Sequence, residues 1–255
     1  MIRVTFSDET NVLNVELPRG WHELTDEQLQ TVHSLIVRYA DEDVRFHVFR
    51  ILAGMKVSKP LLGEGYQGSI KVPGIGEKHF RISPITMSVW MSELDWLASP
   101  GYVPVRISKL RNVDAVDANL HGCSFDTYLM VENYYQGFIQ SKDNAALSAV
   151  MRILYPCEHE NFDDLMPFEV SNILTWLVQL KNMFAMQFRN LFKASGGGET
   201  PNMLEVMNNE IRALTGGDVT KEDEVRNVDC WRALTELDFK AKEAEDFKKQ
   251  LKTKK

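Results

Sequence analysis

The sequence has few cysteines, no long apolar run and no excess of positive charge. Its 255 residues include three widely spaced cysteines, Cys123, Cys157 and Cys230, which argues against a disulfide framework and favours a reducing compartment. The net charge of −7 excludes a domain-wide basic footprint for nucleic acid. No stretch reaches the roughly 18 uninterrupted apolar residues of a membrane span, and residues 1–11 do not resemble a signal peptide. We therefore expect a soluble cytoplasmic protein that binds neither nucleic acid nor a membrane.

The periodicity of apolar residues predicts an α+β fold that is predominantly helical. Alternating patterns predict an N-terminal β-hairpin over residues 2–16 and a second, small hairpin over residues 69–82. Helix-capping residues and apolar stripes predict the helices. The expected helices begin at Thr25, at Asp41 or Asp43, at Ser83, near residue 124, at Asp143, near Pro167, at Thr200 and at Thr220.

The most unusual predicted element is a long helix over residues 168–194. One apolar stripe runs from Val170 to Leu191, and Trp176, Met183 and Met186 add a second stripe. Polar residues such as Lys181 interrupt the helix and argue against a membrane span. So wide an apolar face is typical of a core helix packed on two sides. The sharper hypothesis is a groove for a partner's helix, because Met and aromatic side chains adapt to varied apolar ligands.

Three glycines after this helix predict a division of the chain. We expect a mainly helical core domain over residues 1–195, a Gly-rich hinge at 196–199 and a C-terminal helical segment over 200–255. In this interpretation the C-terminal segment covers the apolar face of the long helix until a partner displaces it.

Several local patterns suggest chemistry but lack the context that the chemistry needs. The glycines Gly63, Gly65 and Gly68 match G-x-G-x-x-G, yet a strand-like stretch follows them where a dinucleotide site needs a helix. The segment 157–160 offers Cys, Glu and His without the spacing of a zinc site. We therefore expect no cofactor and no metal. An enzyme with a site assembled around His121, Cys123 and Asp126 stays open as an alternative.

Two segments resemble proteins of Bacteroidetes phages and prophages. The first is Leu17-Pro18-Arg19-Gly20-Trp21-His22-Glu23-Leu24-Thr25, which is similar to a "Pro–x–x–Trp–x–x–Leu–Thr" opening in such proteins. The second runs from Asp229 to Leu237 and is similar to the closing helix of some phage tail-assembly proteins. Tail-assembly chaperones are small, acidic, helical proteins without catalytic residues. The resemblance implies that they keep the hydrophobic tape-measure protein soluble until the tail tube forms around it.

The leading hypothesis is therefore a non-enzymatic phage or prophage protein that assists tail morphogenesis by binding helices of a partner, such as the tape measure or the tail tube. The alternative is a structural virion or mobile-element protein with an architectural role. No residue is predicted to be catalytic. The predicted partner-binding residues are Ile173, Trp176, Leu177, Leu180, Met183, Phe184, Phe188 and Trp231.

Overall fold

The computed structural model describes residues 2–7, 12–58, 65–72, 76–160, 162–193 and 203–253. The predicted hinge at 196–199 and the glycine at position 63 lie outside these residues. The fold is α+β and predominantly helical, as predicted. None of the helices among the described residues is both long enough and apolar enough to cross a bilayer.

The chain divides into two compact units, and the division differs from the predicted one. Unit 1 comprises Met1–Ile107 and Pro167–Thr175, and unit 2 comprises Ser108–Met166 and Trp176–Lys255. The predicted core of residues 1–195 is thus not a single unit, and the C-terminal helices belong to unit 2 rather than to a separate segment. Glycine content is a feature of the local sequence, whereas the division into units follows the packing of side chains that are distant in the sequence.

The described residues of unit 1 form two small antiparallel sheets, three helices and the start of a fourth. The strands are β1 (Ile2–Ser7) paired with β2 (Val12–Leu17), and β3 (Met55–Ser58), β4 (Tyr66–Val72) and β5 (Gly76–Ile82) in that order in the second sheet. The helices are α1 (Asp26–Arg38), α2 (Asp41–Leu52) and α3 (Pro84–Ser92), with short 3-10 turns at Trp21–Glu23 and Asp95–Ala98. Both predicted hairpins are present.

Local capping explains where the helices of unit 1 begin and end. Thr25 and Gln28 form a reciprocal capping box at the start of α1. Ser83 caps α3 with Pro84 at its first position. Gly54 follows α2 with a φ of 65°, a left-handed conformation that favours glycine.

Two expectations for unit 1 were wrong in detail, and one strand was not predicted. The apolar positions after Ser83 predict a helix as far as Leu97, but α3 ends at Ser92 and a 3-10 turn follows it. The sequence also predicts a short strand at 103–107, which is not formed. The strand β3 was missed, because its four residues directly follow a helix and its alternation is too short to stand out. Its pairing with β4 is a long-range contact that the local pattern does not contain.

Unit 2 is mainly helical. Its elements are the short strands β6 (Lys109–Leu110) and β7 (Val113–Asp114) and the helices α4 (Phe125–Ser141), α5 (Asn144–Leu154), α6 (Pro167–Gln187, of which the residues from Trp176 onward belong to this unit), α7 (Met203–Thr215), α8 (Glu222–Arg226) and α9 (Cys230–Thr253). Helix α4 packs against α5, α7 and α9. The core of unit 2 includes the fully buried Phe125, Leu129, Leu154 and Leu234.

Candidate protein-binding site

Helix α6 ends at Gln187, seven residues before the predicted end at 194, because a carboxylate from another helix takes over the next backbone donors. Asp238 of α9 accepts hydrogen bonds from the backbone N–H groups of Asn190 (2.7 Å) and Leu191 (3.0 Å). The side-chain amide of Asn190 donates to the other oxygen of Asp238 at 2.8 Å. Donors held in this way do not continue the helical hydrogen-bond ladder.

Most of the predicted partner-binding residues are buried within the protein. Ile173 is buried in unit 1, and Trp176, Leu177, Leu180, Phe184 and Phe188 are buried in unit 2. Met183 and Trp231 are half-buried. In the described conformation these side chains therefore form core, and binding a partner through them requires the helices that cover them to move. Their role in partner binding stays a prediction.

The covering element is the C-terminal segment, which docks through Trp231 at the start of α9. Its ring lies 5.6 Å from those of Phe184 and Phe188 in edge-on geometry and stacks on His121 at 4.4 Å. We call these four residues the Trp231 cluster. The indole N–H of Trp231 also donates to the carbonyl of Asn119 at 2.8 Å, so both the apolar and the polar part of the side chain are used.

Backbone and ion-pair contacts reinforce this docking. The N–H of Cys230 donates to the carbonyl of Cys123 at 2.9 Å, and that of Phe125 donates to Val228 at 2.8 Å. Arg226 forms an ion pair with Asp126 at 2.6 Å. The segment after residue 203 is thus docked on α4 and α6 of unit 2, in agreement with the interpretation that it covers the apolar face of α6.

The C-terminal segment does not pack closely on the rest of unit 2 beneath α7. Helices α4, α6 and α7 enclose a partly open cavity of about 500 Å³, which we call the α7 cavity. Its walls are mainly apolar and include three of the predicted partner-binding residues, namely Leu177, Leu180 and Phe184. The first and second turns of α7 contribute Met203 and Val206.

Charged and polar groups are confined to a few positions in this cavity. Glu132 and Glu210 line it together with Lys181 and the buried Tyr128. Lys181 forms an ion pair with Glu132 at 2.5 Å, so one carboxylate is neutralised. The Oε2 atom of Glu210 is buried and has no hydrogen-bond partner in the described part of the chain. Burial, and the nearby charge of Glu132 to a smaller extent, raise the pKa of Glu210 to about 7.

Sequence reasoning did not single out Glu210, although a signal was present. The sequence predicts an apolar stripe on helix α7, made of Met203, Leu204, Met207, Ile211 and Leu214. Glu210 follows Met203 by seven residues and precedes Leu214 by four, which places it on that same face. A carboxylate on an apolar face is unusual and indicates either a buried partner or a site.

The structure does not bring His121, Cys123 and Asp126 into one reactive group. His121 stacks on Trp231, and Asp126 is ion-paired with Arg226. The carbonyl of Cys123 accepts the hydrogen bond from Cys230. The neighbouring Cys230 thiol is buried, which raises its pKa and disfavours the thiolate. These contacts explain the three residues as parts of the C-terminal docking surface.

The remaining motifs have structural explanations. A side chain at position 68 would collide with the ring of Phe80, and one at position 65 would lie 2.7 Å from the carbonyl oxygen of Ile82. Gly68 lies within strand β4 and does not open a helix, so the arrangement differs from a dinucleotide site. Among the residues that the structure describes, none of the His, Cys, Asp and Glu side chains cluster as metal ligands would.

The two segments that carry the phage-protein resemblance serve packing and capping. Trp21 is buried and donates from its indole N–H to the carbonyl of Ser99 at 2.9 Å, while Thr25 caps α1. In the second segment, Asp229 accepts a hydrogen bond from the backbone N–H of Gly122 at 3.2 Å. No protein-family model, curated protein or solved structure matches the chain.

Proposed function

We propose that this protein is a non-enzymatic binding protein of the host cytoplasm that assists phage-tail morphogenesis by holding an apolar helix of a protein partner, of the tape-measure type. The observation that carries the proposal is the docking of α7 and α9 of the protein itself on the Met- and aromatic-rich face of α6. An apolar face that accepts amphipathic helices of its own chain has the shape and chemistry to accept a helix of another.

The packing under α7 supports an exchange of helices. Empty space next to a helix forfeits the dispersion contacts that a filled interface has. The buried Oε2 atom of Glu210, which has no hydrogen-bond partner among the described residues, weakens the interface further. Helix α7 is therefore bound less tightly than a well-packed helix of its length. A partner helix has to supply only a small free energy to displace it.

The composition of the partner surface supports a varied apolar ligand. Met183, Phe184 and Phe188 present flexible thioether and planar ring surfaces, and such surfaces repack around different apolar helices. The side chains considered for catalysis, His121, Cys123 and Asp126, are engaged in the docking of α8 and α9, which favours binding over chemistry.

The test is co-expression of the full chain with a phage tape-measure protein and, separately, with a tail-tube protein, followed by co-purification. In the proposal, Trp231 anchors the C-terminal segment rather than contacting the partner, so we expect Trp231→Ala to retain several times more tape-measure protein than the wild type. Phe239→Ala, at an exposed position of the same helix, is the control and should behave as the wild type. Recovery of no helical partner with either protein would reject the proposal. Finding the chain in purified particles would favour an architectural role instead.

A further inference from the structure

The α7 cavity has the size and chemistry of a site for a small ligand. A volume of about 500 Å³ lies within the range of small-molecule sites, which are mainly apolar with a few placed polar groups. The apolar walls come from three helices, so the site depends on the tertiary structure of unit 2. The polar groups lie on α4, α6 and α7. Glu132, Lys181 and Glu210 are the ones that can bear charge, and Tyr128 adds a neutral hydroxyl group.

The charge in the cavity is incompletely balanced. Lys181 neutralises Glu132, and the side-chain amide of Gln136 donates to the same Glu132 oxygen at 2.8 Å. The buried oxygen of Glu210 has no such partner within the described ranges of the chain. A cationic group placed beside Glu210 would satisfy this oxygen and balance the charge. An anionic ligand would add to the repulsion between the two carboxylates, and a neutral apolar ligand would leave the oxygen unpaired.

We infer that the α7 cavity is a binding site for a small amphiphilic amine, whose ammonium group pairs with Glu210 and whose apolar body packs among Val131, Leu180, Phe184 and Val206. Such a ligand supplies the two things that the cavity lacks, a hydrogen-bond donor for the buried oxygen and atoms to fill the space. It also bridges α7 to α4 and α6, so it holds the C-terminal cover in place. The site does not depend on the identity of any protein partner.

The test uses 4-phenylbutylamine and its neutral counterpart 4-phenylbutanol as probes, with the full chain at pH 8. Binding is followed by calorimetry and by the methyl signals of Met203 and Val206 in NMR spectra. We expect the wild type to bind the amine about tenfold or more tightly than the alcohol, as a charge-assisted hydrogen bond predicts. The methyl signals of both residues should shift with either probe.

Two variants separate the roles of charge and space. Glu210→Gln should remove the preference for the amine and leave the affinity for the alcohol unchanged, while Glu205→Gln, an exposed position of the same helix, should leave both unchanged. Val206→Trp fills the cavity and should abolish binding of both probes. Equal affinity for amine and alcohol in the wild type, or an amine preference that survives Glu210→Gln, would overturn the inference. Neither calorimetry nor the NMR shifts involve a protein partner. A failure of the amine-binding inference is therefore distinguishable from a failure of the proposed function.

Discussion

Two titratable side chains, the buried His33 in unit 1 and the partly buried Glu210 in unit 2, link single residues to the pH dependence of stability. His33 is fully buried, stacks on Trp21 at 5.1 Å and shares a hydrogen bond of 3.0 Å with the hydroxyl of Ser171. Its Nε2 atom is buried without a partner in the described residues. Burial lowers the pKa of His33 to about 4, because the imidazolium form would lose its hydration.

The lowered pKa of His33 predicts a loss of stability in acid. Above pH 6.5 the ring is neutral in the folded and the unfolded protein. As the pH falls from 6.5 towards 4, only the unfolded protein binds the proton, so the free energy of unfolding decreases by roughly 3 kcal/mol. Urea unfolding at several pH values should show this decrease, and His33→Gln should remove it. A variant at exposed His79 is the control, and an unchanged pH dependence in His33→Gln would contradict the prediction.

Glu210 predicts the opposite pH dependence. Its pKa is raised from 4.5 to about 7, so the folded protein keeps the proton that the unfolded protein loses. Stability is complete below pH 4.5 and decreases by roughly 3 kcal/mol as the pH rises through 7. Glu210→Gln should therefore be more stable than the wild type at pH 8, with the difference vanishing near pH 4. If thermal melts show the same difference at both pH values, the carboxyl group is not buried in its neutral form.

At the scale of elements, the end of α6 depends on a single side chain of α9. Asp238 accepts hydrogen bonds from the side-chain amide of Asn190 and from the backbone N–H groups of Leu191 and Asn190. Desolvation raises the pKa of Asp238, but these hydrogen bonds, with that of the Asn190 amide first, hold the pKa below its usual value. The length of α6 is thus decided by a contact 47 residues away along the chain.

Removal of the Asp238 carboxylate should destabilise the end of α6 and its contact with α9. We expect Asp238→Ala to lower the free energy of unfolding by about 1–2 kcal/mol, as for other lost helix-terminal hydrogen bonds. Hydrogen exchange at residues 188–193 should accelerate more than exchange elsewhere. Glu243→Gln, an exposed position on the same helix, serves as the control. Unchanged protection at residues 188–193 would show that the Asp238 contacts contribute nothing to this turn.

At the scale of the whole molecule, the two units have separate cores. Phe49 is fully buried in unit 1, where its ring stacks on Trp90 at 5.7 Å. Leu234 is fully buried in unit 2. Compact units with their own cores open as separate cooperative regions under native conditions.

Core substitutions should therefore act first within their own unit. We expect Phe49→Ala and Leu234→Ala each to cost about 3 kcal/mol. Native-state hydrogen exchange should accelerate in α1 and α2 for the first variant and in α4 and α9 for the second. Uniform acceleration over both units in either variant would contradict this division.

The sequence by itself determined the elements whose signals are local. Capping residues such as Thr25, Ser83 and Asp143 mark helix starts, because their side chains bind backbone N–H groups only a few positions away. Alternation located both hairpins for the same reason, since the pairing strands are neighbours in the chain. The width of the apolar face of α6 also followed from helical periodicity alone.

The tertiary structure alone decided what covers that face, where α6 ends and how the chain divides. Trp231 meets Phe184, and Asp238 meets Asn190, through contacts between residues 47 or more positions apart, which no local pattern encodes. The glycines at 196–198 suggested a boundary, but the packing of α7 and α9 on α4 joined the segments on either side into one unit. The α7 cavity and the environment of Glu210 likewise exist only where three helices meet, because burial is a property of neighbours in space.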